Sequence, residues 1–586
     1  MATNIGLNVI EVDGSAPAAI QGAAVSVGAF NIVTRRGVPN RPVRITSFTD
    51  FVDRFGGFDT ASFGAYLVKG FFDNGGQRAY VSRVAGAGAA APTTASAAFR
   101  RSDAANAAAV LQLEGGFRGQ PDPGRWAEDV RVTLTPSFAT QVREGTAAIA
   151  KDGTTLAGLA GFAIDDTVLV SAGANRAIVT VTALNPATGE IKWAPDLANP
   201  GDFAPANTTV VSTDFDLTVT RQGQTPPISE TWPRLTLRQG SPSYAVTMLN
   251  DSTRGSKLVR ATDPRQAANR TTPDTPGHEV TLALANGGDG TVAENDFIGD
   301  QAAHTGFFAF DPLDIQLVCT ERSDPAIVNA ALAYCENRGD CMFIGSVPEA
   351  SVSGGTAIEY GAAFQGKKVY GAMYGPWVGV PDPLAQGPTK MRRIPPTGHV
   401  MGVYARIETT RGIHKAPAGD EARLLGVLDV EYQLSDAEHT DLVTIGSVNG
   451  IRAIAGAGIV VDASRTLSTD IRWRYVNVRL LFNYVKTSLK QGLRWVKQEP
   501  NRDRLWDAVK FGSVRPFLME LWRQGAFGAG TPEQVFTIIC DATNNPPDEV
   551  DKGNFKLEVY FYPSKPAETI LIVVGQQPSG ATASEA

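Results

Sequence analysis

Residues 314–347 read "DIQLVCTERSDPAIVNAALAYCENRGDCMFIGSV", and this stretch constrains the fold more than any other. A short β-branched run, "DIQLVCT", predicts a strand. In the segment that follows, Asp324 stands at an N-cap position, Pro325 at the first helical position, and Ile327, Ala331, Leu332 and Cys335 share one helical face. Gly339 closes the helix and "CMFIGSV" starts a second strand. Two strands joined by a helical crossover must run parallel, so a parallel sheet with an α/β core is expected.

Around this unit the character of the chain changes twice. Residues 1–86 alternate strand-like runs ("GLNVIEVDG", "VSVGAFNIVT") with a helix over 64–76 that ends at Gly75 and Gly76. The small-residue stretch at 85–98 marks a boundary, and 99–300 breaks into many short strands separated by Gly, Pro, Asn and Asp, the pattern of a small β-barrel or sandwich. Further on, "KKVYGAMYGPWV" supplies another strand, a long helix covers 475–497, and a second covers 501–524, broken by Gly512 and Pro516. "QVFTIICDA", "FKLEVYFYP" and "ETILIVVG" return to strands. The resulting division is a terminal arm (1–20), a first part of an α/β core (21–98), a β-rich insertion (99–300), the main α/β core (301–465), an α+β C-terminal domain (466–567) and a second arm (568–586). At 586 residues the length accommodates such a plan, since domains run to about 150 residues each.

Composition excludes several classes. A net charge of −7 argues against nucleic acid as a partner. No apolar run reaches the ~18 residues of a membrane span, and the start shows neither the basic nor the apolar region of a secretory signal. Four scattered cysteines (Cys319, Cys335, Cys341, Cys540) give no C-x-x-C pair and no disulfide framework. "GAAFQGKK" (361–368) fits G-x-x-x-x-G-K, but Lys368 stands where a phosphate loop needs Ser or Thr, and a helix precedes it where a strand belongs. No G-x-S-x-G occurs, and the five histidines (278, 304, 399, 414, 439) lack metalloprotease spacing. A hairpin over 399–414 would gather His399, His414 and Glu408; the plainer reading leaves these histidines satisfied by backbone or solvent. No catalytic residue, cofactor or metal is therefore expected.

The run "PPTGHVMGVYARIETTRGIHKAPAGDEARLLGV" resembles the signature of contractile tail sheath proteins, the outer sleeves of contractile phage tails, bacteriocins and extracellular injection systems. Pro395, Pro396, Gly398, His399, Gly402, Tyr404, Arg406, Arg411 and Gly412 match it, and Glu408 fills the acidic position. "YGPWVGVPDP", the run from "LVTIGSVNGIRAIAG" to "WRYVNVRLL", "KQEPNRDRLW", "LWRQGAF" and "PAETILIVVGQ" resemble further family elements, over roughly 1–85 and 280–578. The prolines and glycines of the signature are expected to shape a connection, with Arg406, Glu408 and Arg411 as internal or intersubunit polar contacts.

The resemblance implies an α/β core with a subtilisin-like backbone shape, a β-rich surface insertion and terminal strand arms. It also implies a structural subunit that polymerises as stacked hexameric rings around an inner tube protein, contracts, and meets baseplate and tail-terminator proteins. The implied location is a virion tail or phage-tail-like particle assembled in a bacterial cytoplasm. The arms would carry Ile5, Leu7, Val9, Ile10 and Val12 at one end and Ile570, Leu571, Ile572, Val573 and Val574 at the other, β-prone segments that suit pairing in trans. On the 475–497 helix, Arg479, Lys486, Lys490, Arg494 and Lys497 fall within an arc of roughly 80°, a basic stripe for which an acidic inner tube, a neighbouring sheath subunit and plain solvent are equally open as the facing surface. Other polymeric shell proteins, or a hydrolase centred on His399 and Glu408, are the alternatives.

Overall fold

The computed structural model describes residues 20–23, 26–100, 109–137, 140–142, 147–159, 162–164, 166–212, 214–223, 227–264, 279–386 and 390–568. Its centre is an eight-stranded sheet built from β1 (Gly28–Ile32), β2 (Val43–Ile45), β3 (Ala79–Arg83), β4 (Leu317–Thr320), β5 (Met342–Ser346), β6 (Gly371–Gly375), β7 (Val448–Ile454) and β8 (Gly458–Val461). The order is β2-β3-β1-β4-β5-β6-β7-β8. The six inner strands run parallel, and the edge strands β2 and β8 are antiparallel to their neighbours.

Alternation along the inner strands sorts side chains onto two buried faces. Phe30, Val81, Cys319, Ile344 and Tyr374 point to one face, covered by α1 (Phe48–Phe55), α2 (Gly64–Asp73) and α4 (Thr397–Arg411). Ala29, Val318, Phe343 and Met373 point to the other, covered by α3 (Pro325–Arg338). The crossover read from the sequence is present, with Pro325 in the first turn and Gly339 left-handed at φ 70°. Asp324 occupies the N-cap, but its carboxylate pairs with Arg322 at 2.7 Å and makes no capping bond.

The β-rich region departs from a single barrel or sandwich. Strands Ser96–Arg100, Ala109–Phe117, Val130–Pro136, Phe215–Arg221, Ile228–Leu235, Val259–Thr262 and Val280–Ala283 form two sheets around one core containing Trp126, Leu134 and Leu217. A separate six-stranded antiparallel sheet, with Val170, Val181 and Trp193 in its own core, is spliced into it between residues 140 and 212. The boundary expected at 98/99 falls inside the Ser96–Arg100 strand. The one expected at 300 falls too late, because Phe297 of the Glu294–Ile298 helix already packs in the α3 layer.

Near the C-terminus, α5 (Val476–Gly492) packs Leu481 and Val485 against Leu505, Val514 and Leu518. The second helical stretch is not broken at Gly512. Asp503–Asp507, a π-type turn over Ala508–Val514 and Arg515–Arg523 run on continuously. A wide turn just before Pro516 accommodates the amide that proline lacks. β9 (Phe536–Ile539) and β10 (Glu558–Phe561) form a sheet of only two strands among the described residues.

Candidate functional site

The signature at 395–412 is a helix, which corrects the expected connection and the expected hairpin. Pro395 and Pro396 are buried at its entry, Pro396 accepting the Val400 N–H at 3.0 Å, and Gly412 ends it at φ 91°. The glycines serve close approach. A Cβ on Gly398 would overlap the Leu67 carbonyl oxygen and sit 2.6 Å from Leu67 Cα, and one on Gly402 would sit 2.5 Å from the Phe71 carbonyl oxygen. With Gly70 on the facing side, where the His399 ring fills the space a Cβ would need, α2 and α4 pack nearly backbone to backbone.

His399 is 3% exposed, and burial pushes its imidazole down to about 4, so it packs as a neutral ring. His414 lies against Gly412 and Gly525, away from it, and no three-residue cluster of metal-ligand type occurs among the described residues. The Tyr404 hydroxyl bonds that of Tyr374 on β6, and burial holds both phenols well above their usual range. Arg406 lies over Gly75 and donates to the carbonyls of Asn74 (3.2 Å) and Arg423 (2.5 Å), tying α4 to the end of α2. Arg411 pairs with Glu421 at the surface, where such a pair contributes little.

Glu408 is the unusual member. It accepts a hydrogen bond from Ser26, its second oxygen Oε1 is buried without a partner, and Asp340 and Tyr484 line the same small void. The residue keeps some surface, yet its carboxyl group is enclosed, and burial pushes it up to about 8. Between its usual value of about 4.5 and about 8 the native state holds a proton that the unfolded chain has released. Stability from this group is full below about 4.5 and is lost as pH rises through about 8, with a slope of up to about 1.4 kcal/mol per pH unit. Thermal unfolding scanned from pH 5 to 9 should therefore show Glu408→Gln losing less stability towards alkaline pH than the parent. Parallel profiles would refute the assignment.

Ser26 belongs to the segment leading out of the body towards the N-terminus. Its neighbours are also tethered: the Ala23 N–H donates to Ser488 Oγ at 2.9 Å, and Ile20 packs on Gly492 at the end of α5. At the other terminus, Glu568 accepts from Arg465 Nε (2.5 Å) and Nη2 (2.9 Å) and from the Tyr475 hydroxyl (3.0 Å) at the start of α5. Both terminal segments thus leave from α5, one from each end. The arm residues Ile5, Leu7, Val9, Ile10, Val12, Ile570, Leu571, Ile572, Val573 and Val574 lie outside the described residues.

The basic stripe is corrected in part. Arg479 is buried, its guanidinium stacked between the rings of Trp473 (4.0 Å) and Tyr370 (4.1 Å). Lys486 is exposed but its ammonium bonds the Gly339 carbonyl at the end of α3. Lys490, Arg494 and Lys497 are exposed, with Lys490 and Arg494 facing Asp311, Asp314 and Asp340 across a cleft. Because α5 ends at Gly492, Arg494 and Lys497 no longer keep the helical phase that grouped them. Helical periodicity marked the charges; only the aromatic pair formed by the remote Tyr370 and the preceding Trp473 decides that Arg479 turns inward.

Comparison with known proteins agrees with this architecture. The fold resembles the sheath tail protein of Listeria innocua (TM-score 0.54, 11% identity, 94% of this chain and 96% of that one). It also resembles the contracted sheath of the extracellular contractile injection system PVC (TM-score 0.50, 16% identity, 98% and 99%). At such identities the likeness concerns the fold, and the class it defines is the mixed α/β, sheet-rich fold of contractile sheath proteins. Sequence adds the second step. Residues 468–576 match the family model of the phage tail sheath C-terminal domain. The tail sheath proteins of Vibrio phage KVP40 and Enterobacteria phage T4 are 26% and 24% identical over 176 residues, 30% of this chain. Those matches span 25% and 26% of the two phage proteins. The chain is thus similar to tail sheath proteins in its C-terminal sequence and in the fold of nearly its whole length.

Proposed function

We propose that the chain is a structural, non-catalytic subunit of a contractile tail sheath, part of a phage tail or phage-tail-like particle. The observation that carries this is the sheath C-terminal match at 468–576, coupled with a fold likeness to a contracted sheath over 98% of the chain. On this reading the α/β body is the sheath domain with a subtilisin-like backbone shape. The arms at 1–20 and 568–586, whose described residues Ile20 and Glu568 lie at opposite ends of α5, pair with neighbouring subunits. The two-stranded β9–β10 sheet, with no third strand among the described residues, supplies edges on which such arms can add. Stacked hexameric rings linked in this way surround an inner tube, with Lys490, Arg494 and Lys497 as the tube-facing candidates, and end at a baseplate and a terminator.

Contraction then requires no nucleotide. Moving a two-state element from 1:99 to 99:1 takes a bias of about 5.5 kcal/mol, which subunits coupled through exchanged strands can share. The test is electron microscopy of the purified chain. Long tubular polymers are expected, lost on deleting 1–14 or 569–586 while the body still melts cooperatively. Deletion variants that polymerise normally would refute arm exchange, and a full-length chain that never forms tubes, alone or with its tube protein, would refute the sheath reading. Within such tubes, Lys490→Glu with Lys497→Glu should abolish co-assembly with the tube; unchanged co-assembly would remove the tube-contact assignment.

A further inference from the structure

Where the first β-rich body meets the α/β body, a cleft of about 460 Å³ gathers four arginines, Arg41, Arg44, Arg54 and Arg118. Two come from the edge of the main sheet: Arg44 lies on β2 and Arg41 just before it, both exposed. Arg54 comes from the last turn of α1. Arg118 comes from the insertion, at the tip of the hairpin joining Ala109–Phe117 to Gln120–Pro121, where it holds a left-handed backbone at φ 48°.

Phe55 and Phe117 give the cleft an apolar part of its lining, to which the buried Asp122 also contributes. The guanidinium groups of Arg54 and Arg118 stand 5.1 and 5.4 Å from the Phe117 ring centre, and that of Arg36 stands 5.9 Å from it. Acidic groups nearby are committed elsewhere. Asp122 is fully buried and bonds Arg36, Asp53 pairs with Lys257, and Asp251 accepts the backbone N–H groups of Thr253 and Arg254. Within ion-pair distance only Arg54 has a carboxylate, Asp50 at 3.0 Å; the charge of Asp251 acts on Arg118 from farther off, and Arg41 and Arg44 form no ion pair among the described residues. The Nε of Arg118 is buried without a hydrogen-bond partner.

Gathering like charges in one concavity is unfavourable without a counter-charge, and a cleft with low-dielectric walls concentrates the potential. In a chain of net charge −7 the local surplus is not a reflection of overall composition. Guanidinium forks match the paired oxygens of phosphate and carboxylate, and the phenylalanine rings exclude competing water.

We infer that this cleft is a binding site for a small multivalent anion, a compact molecule bearing two or more phosphate or carboxylate groups, held between the α/β body and the insertion. Because both bodies contribute arginines, the bound anion fastens the insertion to the body. The inference does not depend on the sheath reading.

The test is calorimetric titration of the full chain with inorganic pyrophosphate and, separately, citrate, at low ionic strength. Saturable one-site binding of at least one is expected, and which one binds more tightly assigns the site to phosphate or carboxylate. The Arg41→Ala, Arg44→Ala, Arg118→Gly triple variant should bind at least tenfold more weakly with a ligand-free Tm no lower than the parent's, since it relieves the like-charge repulsion. Glycine is chosen at 118 because it accepts the left-handed turn. Lys552→Ala with Lys556→Ala, which removes exposed cations elsewhere, should leave the affinity unaltered. Failure of both anions to bind, undiminished binding by the triple variant, or equal weakening in the Lys552/Lys556 control would each overturn the proposal.

Discussion

Gly398→Val is expected to destabilise the α/β body by at least about 4 kcal/mol, the range reached only by severe core defects. Two effects oppose each other at this position. Removing a glycine from the first turn of the helix gains at most about 1 kcal/mol of helix propensity. Against that, the first side-chain carbon already stands 2.6 Å from both Cα and the carbonyl carbon of Leu67, on a helix with no freedom to move aside. Leu67 and Val68 of α2 and Val400 and Met401 of α4 are all fully buried in the larger sheet-face core. Separating the helices to admit a valine would open that core along its length, so the clash outweighs the propensity gain. Overpacking ordinarily costs about 1–3 kcal/mol, because flexible side chains yield; here the neighbour is backbone. Thermal or urea unfolding of the purified variant measures the loss. If Gly398→Ala proved as stable as the parent, close helix contact would not be the reason for glycine.

Asp122→Ala should cost about 3–5 kcal/mol, as expected when one partner of a buried ion pair is removed and its opposite charge is left uncompensated. Arg36 is 2% exposed and donates through Nε to Asp122 Oδ2 at 2.8 Å, with its guanidinium 3.8 Å from the Trp126 ring centre. The other carboxylate oxygen accepts the Gly37 N–H at 2.6 Å and lies 3.8 Å from Arg83, itself 2% exposed. These bonds join the ends of β1 and β3 to the first β-rich body, so the loss should concentrate at that seam. Hydrogen exchange is the discriminating measurement: faster exchange is expected around 110–136, with β4–β6 keeping its protection. Uniform change across the chain would refute the junction role. Asp122→Asn separates charge from shape, and should retain the Gly37 contact while losing the pairing with Arg36.

Sequence alone was sufficient for the α3 crossover. Pro325, Gly339 and the apolar face at 327, 331, 332 and 335 are local signals, and local signals set where a helix starts, where it stops and which face it hides. The family resemblance was equally legible at 395–412, and the fold and C-terminal matches agree with it. What the segment does structurally was not legible. Two prolines followed by three glycines carry the composition of a connection, yet the chain there is a fifteen-residue helix. Tertiary packing overrides the propensity penalty because α2 can approach so closely only where α4 has no side chains. The same limit applies to Arg479, whose periodicity assigned it to a basic stripe and whose aromatic partners lie 109 and 6 residues away in sequence. It applies to Glu408 and Asp122, whose enclosure is created by Ser26 and Arg36 from the loops on either side of β1, remote in sequence. Spacing of residues along the chain determined the elements and their hidden faces. Only the tertiary structure decided which charges are buried and which helices touch, because desolvation and close contact arise between segments that the local pattern does not relate.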